Sequence, residues 1–169
     1  MKDDDHAAHV QATLASLDVR FDYDAASRSL RVAYSVKNLA DAPLMALDRG
    51  VAVGGKVTSA APFSKLDGDA LTLSQQALAL PKPAPTVPRV ALATRIERGA
   101  THAGETAGEV PDSVRRVRYC LGVAPFSEGA FTRSKADATV WRASFAVADS
   151  QALLCTPWFD VVEIRFLRE

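Results

Sequence analysis

Hydrophobic and polar residues alternate along most of this chain. In LDVRFDYD, Leu17, Val19, Phe21 and Tyr23 fall on one face and Asp18, Arg20, Asp22 and Asp24 on the other. LRVAYSV repeats the pattern with Leu30, Val32, Tyr34 and Val36, and the polar stretch from Asp24 to Ser29 joins the two. Successive strand side chains point to opposite faces, so this pattern predicts an antiparallel hairpin with one buried and one wet face. NLADAP is a second turn signal, and LMALDRG reads as a third strand ending at Gly50. The Asp67-Gly68 pair before ALTLS marks a tight turn. RVALATRI, VRRVRYCLGVAPF, TVWRASFAVAD and FDVVEIRFLRE continue the alternation. Their inward sets are Val90, Leu92, Thr94 and Ile96; Val117, Tyr119, Leu121 and Val123; Trp141, Ala143, Phe145 and Val147; and Val162, Ile164 and Phe166.

Three stretches break the rhythm. Residues 1 to 15 predict an N-terminal tail or a short helix. PKPAPTVP, with four prolines in eight residues, cannot donate regular ladder bonds and suits an edge or a crossover between sheets. GATHAGETAG, with three glycines, reads as a loop or a weak exposed strand. About eight or nine strands with turns every 8 to 12 residues predict an all-β protein, an antiparallel β-sandwich over residues 16–169. Uneven strand lengths favour a sandwich over a barrel, and strand count and spacing suggest an immunoglobulin-like topology.

Composition narrows the function classes. The 169 residues are 48% hydrophobic and 24% charged, ordinary for a folded domain whose size can hold one core. Twenty basic and twenty acidic residues cancel, which argues against nucleic acid or an anionic membrane as the main partner. No stretch reaches the length of apolar residues that crosses a bilayer. The start MKDDDHAAHVQATLASL places aspartates where a signal peptide has its basic region. The expected compartment is therefore the periplasm or envelope where an export signal has been removed, and otherwise the cytoplasm.

Cys120 and Cys155 are the two cysteines. Cys120 shares a face with Arg116 and Arg118, opposite Tyr119, Leu121 and Val123, so an antibody-type core bridge is not expected. Two unpaired thiols are the favoured state. A disulfide between neighbouring strands on an outer face is the alternative, and would favour an exported protein.

Candidate chemistry is sparse. His6 and His9 would share a face only on a helix, where they could hold a transition metal weakly; a solvated tail is the simpler expectation. His102, with Glu105 and Glu109 nearby, could form a loop cleft for proton transfer but has no nucleophile in local sequence. Arg115, Arg116 and Arg118 are spread over both faces of a strand, the pattern of a solvated strand end rather than an anion site. GVAVGGK resembles a phosphate loop, but Val57 stands where Ser or Thr is needed and no helix pattern follows. Pro157, Trp158 and Phe159 are the candidate protein-binding residues, since aromatics beside a rigid proline can anchor a partner. Buried, they would simply close the core. The expected function is a non-enzymatic structural or protein-binding module of the cell envelope, without cofactor or metal. The alternative is a small hydrolase or small-ligand-binding protein acting around His102.

Overall fold

A computed structural model describes residues 4–51, 57–78, 91–133 and 139–167. Its strands in chain order are β1 (Ala7–Gln11), β2 (Ala15–Asp24), β3 (Ser29–Asn38), β4 (Leu44–Val51), β5 (Val57–Ser59), β6 (Phe63–Asp67), β7 (Ala70–Gln75) and β8 (Leu92–Ile96). They continue with β9 (Thr101–Glu109), β10 (Arg116–Pro125), β11 (Phe131–Arg133), β12 (Val140–Ala143), β13 (Ala152–Cys155), β14 (Phe159–Asp160) and β15 (Arg165–Phe166). One short helix, α1 (Val147–Ser150), precedes β13.

The protein is nearly all β, as the alternation predicts. A four-stranded sheet, β1-β2-β3-β9, faces an eleven-stranded one built around β10. The inward residues of β2 and β3 meet Leu71, Leu73, Val117, Tyr119, Leu121, Phe159 and Phe166 in one core between the sheets. Phe21, Phe159 and Phe166 form its aromatic centre, with ring centroids 4.7–5.2 Å apart. The strands are shorter and more numerous than the eight or nine expected. The larger sheet is mixed, because β7 runs parallel to β10. An immunoglobulin-like connection would move the chain to the other sheet after its second strand. Here β1, β2 and β3 are successive neighbours in one sheet, so that topology is not the one observed.

The run LMAL in β4 is apolar at every position because the larger sheet buries both faces there. Leu44 and Ala46 enter the inter-sheet core, while Met45 and Leu47 join Phe131, Ala143 and Val147 in a second cluster behind the sheet.

Several segments depart from their expected form. Residues 7–11 are a strand rather than a tail or helix, paired from Ala7↔Arg20 to Gln11↔Ser16. A helix so short gains little in water, whereas pairing satisfies the backbone groups of an edge. Of the two forms expected for GATHAGETAG, the strand is the one observed: residues 101–108 lie in β9, which pairs with β3 along its whole length. The strand expected through Trp141 to Val147 stops at Ala143. Residues 144–149 then turn by successive short-range backbone bonds into α1, and Val147 caps the second cluster. The last strand is a hairpin. The Asp160 carboxylate accepts the amides of Val162 (2.8 Å) and Glu163 (3.0 Å), folding the chain back so that Phe159 lies opposite Phe166. Val162, expected inward, is 65% exposed.

Cys120 and Cys155 are joined, which corrects the expectation of free thiols. They lie directly opposite on β10 and β13, with Cα atoms 4.0 Å apart. The bridge sits on the outer face of the sheet, where the strand periodicity places Cys120.

Candidate functional site

Two polar-aromatic sites stand out, one at the end of the inter-sheet core and one on the outer face of the larger sheet. The inner site follows from the alternation itself. Leu44, Ala46 and Asp48 are the inward positions of β4, so Asp48 enters the core as a carboxylate only 1% exposed. Its Oδ2 accepts the Tyr34 phenol at 2.5 Å and His102 Nε2 at 2.7 Å, while its Oδ1 accepts the Thr94 hydroxyl at 2.9 Å. Thr94 in turn accepts Arg49 Nε at 2.9 Å. A second arm joins at the backbone: Tyr119 donates to Gln75 Oε1, and the Gln75 amide donates to the Ala60 carbonyl, the Ser59 hydroxyl and, at 3.5 Å, the Asp48 carbonyl. Tyr34 and Tyr119 stack at 5.6 Å and tie the arms together.

Burial alone would raise the Asp48 carboxyl, but the hydrogen bonds from His102, Tyr34 and Thr94 outweigh it and hold the group below the usual aspartate range. The Tyr34 phenol is pushed far up, first by burial and then by the Asp48 charge, so it remains a donor. Burial also raises Tyr119. With Asp48 ionised, His102 Nε2 carries the proton it donates.

Gly104 makes the Tyr34 bond possible. The two residues are opposed across β3 and β9, and a Cβ on Gly104 would overlap the Tyr34 hydroxyl and lie 2.6 Å from its Cζ. Glycine lets the phenol lean over β9 toward Asp48.

The inner site corrects the expected loop cleft. His102 points inward from a strand, whereas Glu105 and Glu109 occupy the alternate, exposed positions of β9. The carboxylate partner is Asp48, 54 positions away. A His–Asp pair can orient an imidazole for base catalysis on a side-chain nucleophile, a water or a substrate. Among the described residues no serine, threonine or cysteine is hydrogen-bonded to His102, and the Tyr34 and Thr94 hydroxyls both donate to the carboxylate.

The outer site is made by a register shift. On β13, Cys155 opposes Cys120; on β14, Phe159 opposes Val117. Uninterrupted pairing from Cys155 would bring Trp158, not Phe159, opposite Val117. One extra residue in the Thr156–Trp158 link acts as a bulge, turning Phe159 into the core and leaving Trp158 outside. Phe159 is fully buried, Trp158 half-buried and Pro157 exposed, so of the three predicted contact residues Phe159 belongs to the core. The guanidinium groups of Arg118 and Arg116 lie 4.7 and 5.2 Å from the Trp158 ring centre. These arginines converge on one ring, which the expectation of a solvated strand end missed. Arg115 points elsewhere, to Asp160 at 3.4 Å.

The remaining candidates do not assemble. His6 lies in the turn before β1 and His9 on β1 itself, and the two do not meet. His9 lies outward against Asp18 at 2.7 Å, and His6 approaches Phe159. Among the described residues no group of three or more His, Cys, Asp or Glu side chains is placed to hold a metal. Among the described residues no helix is long and apolar enough to cross a membrane. Gly54, Gly55 and Lys56 of the phosphate-loop resemblance lie outside the described residues, as does PKPAPTVP. No protein-family model, curated protein or solved structure matches the chain.

Proposed function

We propose that this chain is a non-enzymatic protein-binding β-sandwich module of the cell envelope, with its contact surface centred on Trp158. The observation that carries the reading is a half-buried indole on the outer face, held by a bulge and flanked by Arg116 and Arg118. Trp and Arg are the residues that most often dominate protein contacts, and here a strand fixes both arginines beforehand. The Cys120–Cys155 bridge supports an oxidising compartment. The His102–Asp48 pair supports a second reading, a small hydrolase or ligand-binding protein, but each Asp48 oxygen is already engaged within the fold.

A photo-crosslinking amino acid at Pro157, compared with one at exposed Asp22 on the other sheet, tests the first reading in living cells of the source organism. The expected result is a discrete protein adduct from position 157 and none from position 22. Equal labelling at both sites, or none at either, would overturn it.

A further inference from the structure

Strand β9 is an edge of the smaller sheet. The Asn38 amide donates to the Ala100 carbonyl at 3.0 Å, and the Val110 amide to the Arg28 carbonyl at 2.9 Å. The unbroken register between these two bonds makes His102, Gly104, Thr106 and Gly108 the residues of β9 bonded to β3. Bonded and non-bonded pairs alternate in an antiparallel ladder, so the N–H and C=O groups of Thr101, Ala103, Glu105, Ala107 and Glu109 point away from β3. Among the described residues no other backbone group bonds them, and all five residues are exposed. Sheet edges are ordinarily kept short, or broken by lysine, proline or a bulge. The opposite edge, β1, has five residues and abuts the last hairpin, where the Phe166 amide donates to the Asp5 carbonyl at 2.8 Å. By contrast β9 has nine residues, no lysine or proline and no shift of register.

Charge is divided between the two ends of this edge. Lys37 opposes Thr101 at the start of β9, and Arg98 lies in the turn just before it. The acidic neighbours at that end are taken: Glu97 pairs with Arg95 at 2.9 Å and Asp18 with His9 at 2.7 Å. Glu105 and Glu109 occupy the second half of the strand, with Asp22 in the row of Ala107 and Asp24 in the row of Glu109. Two arginines share these rows: Arg31 lies a loose 3.9 Å from Glu105, and Arg20 is bound to Asp4. Carboxylates are therefore in excess at this end. Among the described residues Lys37, Arg98 and Glu109 have no ion-pair partner.

We infer that β9 pairs antiparallel with β9 of a second copy of this chain, about a two-fold axis at Gly104. That axis sets Glu105 opposite Ala103 of the second copy, Ala107 opposite its Thr101, and Glu109 opposite its Gly99, beside its Arg98. Lys37 of the second copy falls in the row of Ala107, between Glu105 and Glu109, with only the small Thr101 and Ala107 side chains in its way. The acidic end of each copy thus meets the basic end of the other, and symmetry makes the match twice. An axis at Glu105 would instead oppose two carboxylates. The pairing fills the outward backbone groups of both edges and joins the two smaller sheets into one. Trp158 lies on the other sheet, so this surface is separate from the protein-binding face.

The test is sedimentation equilibrium of the oxidised full chain over a range of concentrations, combined with residue-resolved hydrogen exchange. A reversible monomer–dimer equilibrium is expected, with the Ala103, Glu105 and Ala107 amides becoming protected as the dimer forms. Ala103→Glu places a carboxylate opposite Glu105 of the second copy at two symmetric positions and should weaken the dimer about tenfold, whereas Ala103→Lys should not weaken it. Arg98→Glu and Glu109→Arg should each weaken the dimer, and the two together should restore it. All three positions are exposed, and unaltered melting of each variant ensures that loss of the dimer is not loss of fold. A protein that stays monomeric at its highest soluble concentration would overturn the inference, as would a dimer whose β9 amides remain unprotected. Equal weakening by Ala103→Glu and Ala103→Lys, or no recovery in the double variant, would overturn the two-fold register on which it stands.

Discussion

The two polar-aromatic sites use similar residues in opposite ways. Inside, Asp48 is surrounded by Tyr34, His102 and Thr94, and each donor is aimed at it by the strand that carries it. Outside, Arg116 and Arg118 lie against Trp158, Arg116 with only a loose contact to Asp69 at 3.8 Å and Arg118 on the Thr72 hydroxyl. A buried charge without partners is costly, so the inner cluster must be complete before the fold is stable. An exposed cation is solvated and can wait for a ligand. Completeness therefore points to structure at the inner site, and incompleteness to binding at the outer one.

That contrast can be broken first at Asp48. Asp48→Ala leaves three buried polar partners without their acceptor and should cost about 3–5 kcal/mol, read as a shift in the urea midpoint at constant slope. A loss below about 1 kcal/mol would mean that the cluster is not structural. Reduction of Cys120–Cys155 should cost nearly as much, about 4 kcal/mol from the 35-residue separation, and a reductant-dependent melting shift measures it. Gly104→Ala should cost about 1–3 kcal/mol by displacing the Tyr34 ring. Its effect should largely disappear in a Tyr34→Ala background, because the two residues act through one contact. Trp158→Ala, by contrast, removes exposed cation–π contacts worth about 0.5–1 kcal/mol each and should change stability least.

Acid sharpens the same comparison. The Asp48 carboxyl is depressed in the folded protein. Its contribution is therefore complete above the unfolded aspartate value of about 3.9 and is lost as pH falls through the lower folded value. Stability measured from pH 6 downward should fall more steeply below about pH 4 in the wild type than in Asp48→Asn. Asp160 and Asp4 are also depressed and share that window, so the difference between the two proteins isolates Asp48.

Much of the scaffold is legible in the pattern of residues. The inward sets of β2, β3 and β10 lie where a period of two places them, and Cys120 lies on the outer face. Asp48 was legible in the same way, two positions beyond Ala46, as was His102 in step with Gly104, Thr106 and Gly108. What the pattern does not contain is the partner of each residue. His102 meets Asp48 through β3–β9 pairing in one sheet and the facing of two sheets, relations set by long-range register. The last segment misled for a local reason: the side-chain turn at Asp160 outweighed a strand pattern that would have pointed Val162 inward. Trp158 needed the one-residue shift between β13 and β14, which can be seen only once both strands are aligned on β10.

The most direct test of the division between the two sites is the yield of the protein adduct at position 157 in Trp158→Ala and in His102→Ala, each produced as folded, disulfide-bonded protein. The account predicts that the adduct is lost in Trp158→Ala and kept in His102→Ala. Retention in Trp158→Ala with loss in His102→Ala would contradict it.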